Sequence, residues 1–239
     1  MNLIYTKIVT SKHKGEKLLA VLLDPDKLKL AEVRKTVKKI DSRRVDFIFV
    51  GGSIVKNGDT EVLVKEIKLH SKIPVVLFPG DYNQITNTAD GILFLTLLSG
   101  RNPEYLIEQQ IKSVSSLQKS KLEVISTGYI LIDGGVKTAV QKVSNTLPIS
   151  QTDIEKITNT ACAGMYMGNK LIYLEAGSGA KDSVAVNIIR SVKDKINIPL
   201  IVGGGIKTKR QLESAYQNGA DLVVIGNGFE ENNNLLFQL

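Results

Sequence analysis

The chain has 239 residues, 43% of them apolar and 23% charged, enough to bury a sizeable core and the usual length of a single α/β barrel. Its net charge of +7 and pI near 9.3 favour anionic partners. The lysines are nevertheless spread along helices, with no helix-turn-helix, zinc-finger or RNP pattern, so the basic surface reads as solvated and nucleic acid is not expected as a partner. Cys162, the only cysteine, lies among small residues, which excludes a disulfide framework and a cysteine metal cluster. No long apolar N-terminal segment and no membrane-length run is visible, and the expected location is cytoplasmic.

In chain order, residues 1–17 are polar and lysine-rich and read as a short helix or cap beneath the fold. Leu18–Leu23 is a continuous apolar run, a strand buried on both faces, ending in Asp24-Pro25-Asp26. Leu30, Val33, Val37 and Ile40 then mark a helix. Val45–Val50 is a second strand ending in Gly51-Gly52-Ser53, followed by a helix from about Asp59 to His70. Pro74–Phe78 is the third strand and Gly91–Leu97 the fourth. Only about ten residues separate them, which is short for a crossover that contains a helix. Asn102-Pro103 is an N-cap with proline at the first helical position, and Ile107, Ile111 and Val114 mark that helix's expected buried stripe.

A fifth strand with an extension spans Glu123–Asp133, and the polar stretch 136–150 is read as a mobile lid. Thr152 and Glu155 have capping-box spacing for a helix to about Gly164. The sixth strand, Leu171–Glu175, opens into Ala176-Gly177-Ser178-Gly179. Side chains alternate along a strand, so Leu171, Tyr173 and Glu175 share one face and Ile172 and Leu174 the other. The seventh strand ends in Gly203-Gly204-Gly205 and the eighth in Gly226-Asn227-Gly228. Two helices separate them, one marked by Val184, Ile188 and Val192. The other opens at Thr208 and Gln211, buries Leu212, Ala215 and Tyr216, and stops at Gly219. Residues 229–239 read as a short C-terminal helix.

Eight strands alternating with helices imply parallel pairing. A doubly wound sheet would put its glycine turn after the first strand, whereas here three glycine turns follow the last three, where barrels hold phosphate. The expected fold is one TIM (β/α)8 barrel over residues 1–239. In that fold the C-terminal strand ends are read together: Asp24, Asp26, Ser53, Tyr173, Glu175 and the glycine turns. Carboxylates facing a phosphate cradle suggest Mg²⁺ bridging protein and phosphate, with Asp24 the better ligand. Asp26 is open between a ligand and the N-cap of the next helix, and Ser53 between metal, phosphate and an ordinary turn. Glu175 reads as a general base for a hydroxyl or as an acceptor that orients a polyol. Tyr173 reads as a substrate contact or as core. His13 and His70 read as surface residues.

Taken together, Leu22-Leu-Asp-Pro-Asp-Lys27, Val50-Gly-Gly-Ser53, Leu77-Phe-Pro-Gly80, Tyr173-x-Glu-Ala-Gly-Ser-Gly179, Val202-Gly-Gly-Gly-Ile206 and Gly226-Asn-Gly228 resemble the geranylgeranylglyceryl phosphate synthase family. The resemblance implies a modified barrel whose third outer helix is coil. It implies Mg²⁺-dependent transfer of a prenyl group from an allylic diphosphate, geranylgeranyl diphosphate above all, to the C3 hydroxyl of sn-glycerol 1-phosphate. By position, it assigns Mg²⁺ to Asp24 and Ser53. It assigns glycerol phosphate to Tyr173, Leu174, Glu175, Ala176, Gly177, Ser178, Gly179, Gly204, Gly205, Gly226 and Asn227. A homo-oligomer, a dimer or larger, and peripheral contact with a membrane are also expected. The residues alone leave two alternatives: another barrel enzyme acting on a sugar phosphate, and a non-catalytic ligand-binding barrel.

Overall fold

A computed structural model describes residues 3–56 and 58–226. Eight parallel strands close into a barrel in sequence order: β1 (Leu18–Leu23), β2 (Phe47–Val50), β3 (Val75–Leu77), β4 (Gly91–Leu97), β5 (Glu123–Leu131), β6 (Leu171–Glu175), β7 (Leu200–Gly203) and β8 (Leu222–Ile225), with β8 pairing back onto β1. The expected alternation on β6 is present. Leu171 and Tyr173 pack inside with Phe47, Phe49 and Leu93, while Ile172 and Leu174 pack outward under the helices.

Helix α1 (Leu3–Lys14) closes the barrel at the N-terminal ends of the strands, as the polar N-terminal segment suggested. Ile4 and Ile8 join the interior cluster. The Glu123 carboxylate accepts the Ile4 and Tyr5 N–H groups at 2.8 Å each, satisfying two first-turn donors and opposing the helix dipole with a negative charge. Outside the barrel lie α2 (Leu30–Asp41), α3 (Thr60–His70), α4 (Gln109–Gln118), α6 (Ile154–Tyr166), α7 (Val186–Lys193) and α8 (Lys209–Gln217). The capping box at Thr208 and Gln211 forms as expected, and α8 buries Leu212 and Ala215. Tyr216 is only partly buried, and its hydroxyl donates to the Leu18 carbonyl at 2.8 Å.

Between β3 and β4 there is no outer helix. A single 3₁₀ turn, Tyr82–Gln84, stands in its place, as the short crossover implied. The β3–β4 pairing is correspondingly brief, Val76 with Gly91 and Leu77 with Ile92, whereas β4 and β5 pair along all of β4.

Three local expectations are overturned, on α4, α2 and α6. Ile107, Ile111 and Val114 are exposed, and Gln110 and Ser113 are buried instead. A π-helical turn, Glu104–Glu108, leads into α4. Leu30 is likewise exposed at the start of α2. The cap of α6 is Asp153, whose carboxylate accepts the Lys156 N–H, while Thr152 bonds Ser150 instead. The stretch 136–150 carries a short helix, α5 (Ala139–Ser144), tied down by Asn102 Nδ2 donating to the Ser144 carbonyl at 2.7 Å. The expected C-terminal helix lies outside the described residues.

Candidate active site

The C-terminal ends of β6 and β7 build the centre of the site. Glu175 ends β6 facing inward and is buried. Its Oε1 accepts the Gly177 N–H at 2.7 Å. Burial raises its pKa from 4.5 to about 7, although the Tyr173 phenol and the Gly177 N–H both favour the charged form. Its proton can therefore be taken up or released near neutrality, which suits a general base.

Glycines make room for this carboxylate. A side chain at Gly203 would lie 2.9 Å from Glu175 Oε2, and one at Gly204 would overlap Oε1 and approach the Ala176 N at 2.7 Å. Gly204 also has a φ of +80°, in the left-handed region that side chains disfavour. Gly204→Ala is expected to displace Glu175 and the Gly177 turn together. Stability should fall by about 2 kcal/mol, the scale of forced packing and backbone strain, and catalysis should be lost. Denaturant melts alongside turnover check this, and a fully active, equally stable variant would contradict the packing described.

Tyr173 lies inside the barrel. Its ring stacks on Phe78 at 5.3 Å between centroids and meets Tyr129 edge-on at 5.4 Å. The buried Tyr173 hydroxyl stands near enough to Glu175 to favour its anion, yet makes no hydrogen bond of ordinary geometry among the described residues. Burial and the Glu175 charge push both phenols well above their usual range, so they stay protonated as donors. Ser178 and Gly179 are exposed at the turn, and Gly205 packs against Asp182 and Ser183 of the next loop. Leu174 and Ala176 pack in the outer core, and the Ala176 N–H donates to the Gly203 carbonyl at 3.0 Å. Gly226 is described, and Asn227 lies outside the described residues.

Asp24 and Ser53 stand at the neighbouring ends of β1 and β2. A methyl added at Gly52 would lie 3.3 Å from Asp24 Oδ1, so this carboxylate sits against the Gly52–Ser53 turn. Lys27 pairs with its other oxygen at 3.3 Å. Asp26 is not the N-cap of α2, a position held by Lys29. Its carboxylate instead accepts the N–H groups of Lys56 and Gly58, the latter at 2.6 Å, and so holds the loop after β2. Among the described residues no three His, Cys, Asp or Glu side chains gather as a metal cluster. His13 and His70 lie in the last turns of α1 and α3.

Where the outer helix is missing, a groove runs from Gly52 and Ser53 between β4 and α4. Phe78, Leu95, Leu97, Tyr105, Tyr129 and Val140 give it an apolar wall. Tyr129 and Phe78 thus face both this groove and Tyr173. Sequence reasoning missed Tyr129 and Thr138, the latter packed against Gly177. Tyr129 pairs in register with Tyr173. That register was the signal, and it appears only once the barrel is closed.

Comparison with known proteins agrees with this geometry. The PcrB family model matches residues 11–238. The geranylgeranylglyceryl phosphate synthase of Zunongwangia profunda is 53% identical over 227 residues, covering 95% of this chain and 97% of that protein. The synthase of Flavobacterium johnsoniae is 50% identical, covering 95% and 93%. The crystal structure of (S)-3-O-geranylgeranylglyceryl phosphate synthase from Thermoplasma acidophilum, in complex with its substrate sn-glycerol-1-phosphate, superposes with a TM-score of 0.91 at 32% identity, covering 98% and 94%. The chain belongs to the PcrB family and is a relative of the geranylgeranylglyceryl phosphate synthases.

Proposed function

We propose that this protein joins an allylic prenyl diphosphate, geranylgeranyl diphosphate by preference, to the C3 hydroxyl of sn-glycerol 1-phosphate. The observation that carries the reading is Glu175, buried in a glycine cradle beside Tyr173, whose ring meets Phe78 and Tyr129 of an apolar groove with Gly52 and Ser53 at its near end. The cradle's backbone N–H groups suit a phosphate, and the groove suits a hydrocarbon. The acceptor hydroxyl attacks C1 of the prenyl group as the allylic C–O bond breaks, an ether bond forms and diphosphate departs. Glu175 takes the hydroxyl proton. Tyr173 holds the carboxylate's charged form, and holding both substrates in register supplies much of the rate gain.

One protein carboxylate is sufficient where substrate phosphates supply further oxygens, so Asp24 and Ser53 fit a Mg²⁺ ion shared with the diphosphate. That ion would neutralise charge on the leaving group. No helix among the described residues is long and apolar enough to cross a membrane. We place the reaction in the cytoplasm, carried out by a homo-oligomer in peripheral contact with a bilayer that receives the product.

The test uses purified protein, Mg²⁺, labelled glycerol 1-phosphate and prenyl diphosphates of increasing length, followed by organic extraction. Label is expected in the organic phase, most with the twenty-carbon donor. Absence of transfer from folded protein with every donor would overturn the reading, and sugar phosphates would be tried next against the same cradle.

A further inference from the structure

The loops after β2 and β3 interlock. A side chain at Gly51 would overlap the Phe78 carbonyl, and one at Gly80 would lie 2.5 Å from the carbonyls of both Gly52 and Ser53. Gln84, the last residue of the 3₁₀ turn that replaces the outer helix, reaches into this seam and is 6% exposed. Its Nε2 donates to the Gly52 carbonyl at 2.9 Å, and its Oε1 accepts the Gly80 N–H at 3.2 Å. The turn that delivers it is itself anchored: the Asp81 carboxylate accepts the Asn83 N–H, and Gln109 Oε1 accepts the Tyr82 N–H at 2.9 Å. From the other side Asp26 holds the Lys56 and Gly58 N–H groups. The segment carrying Gly52 and Ser53, set against Asp24, is therefore gripped by a polar side chain from each flank.

We propose that Gln84 is a positioning residue that fixes the Gly52–Ser53 turn for the diphosphate end of the prenyl donor. The proposal rests on the prenyl-transfer reading above. Both bonds shown for its amide go to backbone of the two loops at the near end of the groove, and none goes to the cradle around Glu175. A primary amide suits this place because one side needs a donor and the other an acceptor. The 3₁₀ turn thus keeps one task for which its last residue must be placed accurately, even though the helix is gone.

The experiment compares wild type with Gln84→Met, which keeps length but loses both bonds, and Gln84→Glu, which keeps the acceptor but turns a carboxylate on the Gly52 carbonyl. Two quantities are measured: calorimetric affinity for inorganic pyrophosphate with Mg²⁺, and KM for each substrate. For Gln84→Met, pyrophosphate affinity should fall about tenfold and donor KM rise about tenfold, while the KM for glycerol 1-phosphate stays within about twofold, because only the donor end has lost its support. Gln84→Glu should lose more. If the methionine variant does not fold, Gln84→Asn, whose shorter amide cannot span both loops, takes its place. Equal shifts in both KM values, or none in folded variants, would overturn the proposal while leaving prenyl transfer intact. A wild-type protein that transfers no prenyl group would overturn both.

Discussion

Glu175→Gln is expected to slow prenyl transfer by about 10²–10⁴-fold, the usual worth of a positioned general base. The glutamine is nearly isosteric and can still accept the Gly177 N–H, so the loss should fall on kcat rather than on the KM of either substrate. In the wild type, kcat/KM should rise with pH through an inflection near 7 as the carboxyl gives up its proton. In the variant that inflection should vanish. A pH profile of single-turnover rates reads both, and an unshifted profile in the variant would assign the proton transfer to another group.

The same carboxylate carries a cost in stability. Folding raises its pKa from 4.5 to about 7, so between those values the folded chain holds more protons than the unfolded one. Stability associated with the neutral carboxyl is full below 4.5 and is lost as pH rises through about 7, amounting to about 3 kcal/mol at 1.36 kcal/mol per pH unit. Glu175→Gln should therefore melt roughly 6–12 °C higher than wild type at pH 8 and nearly alike at pH 4.

Asp24→Ala is the second large expected effect, a fall of roughly 10²–10³-fold, the scale for losing one group that offsets charge developing in the transition state. Donor KM should rise with it, while calorimetric affinity for glycerol 1-phosphate holds, since Asp24 lies at the Gly52 turn rather than at the Gly177 and Gly204 cradle. Excess Mg²⁺ should restore part of the rate. A wild-type enzyme indifferent to chelation would separate Asp24 from any metal and leave it a partner of Lys27.

Much of this architecture was readable before folding. Leu18–Leu23, Gly91–Leu97 and Leu171–Glu175 announced themselves as apolar runs closed by special residues, and the structure has strands over the same spans. Glu175 was legible because strand alternation alone puts it on Tyr173's face. What stayed hidden depends on distance through space. Asp26 resembled a helix cap because its neighbours in sequence suggested one, and only the fold brings the Lys56 and Gly58 amides to it. The stripe of Ile107, Ile111 and Val114 misled because periodicity marks one face of a helix and not the direction in which the fold turns it, and here Gln110 and Ser113 face inward. Gln84 gave no signal, since a glutamine in a polar stretch is unremarkable until Gly52 and Gly80 flank it.

The missing third helix has one more consequence. The short β3–β4 joint, where a 3₁₀ turn stands in place of an outer helix, is bordered by an open apolar slot. A bound isoprenoid would complete the roof, so the substrate's tail doubles as an interchangeable building block of the enzyme. Firmness of that flank then follows lipid supply by mass action. Amide exchange at Val76, Leu77 and Ile92 should slow as the donor loads and quicken once the product leaves.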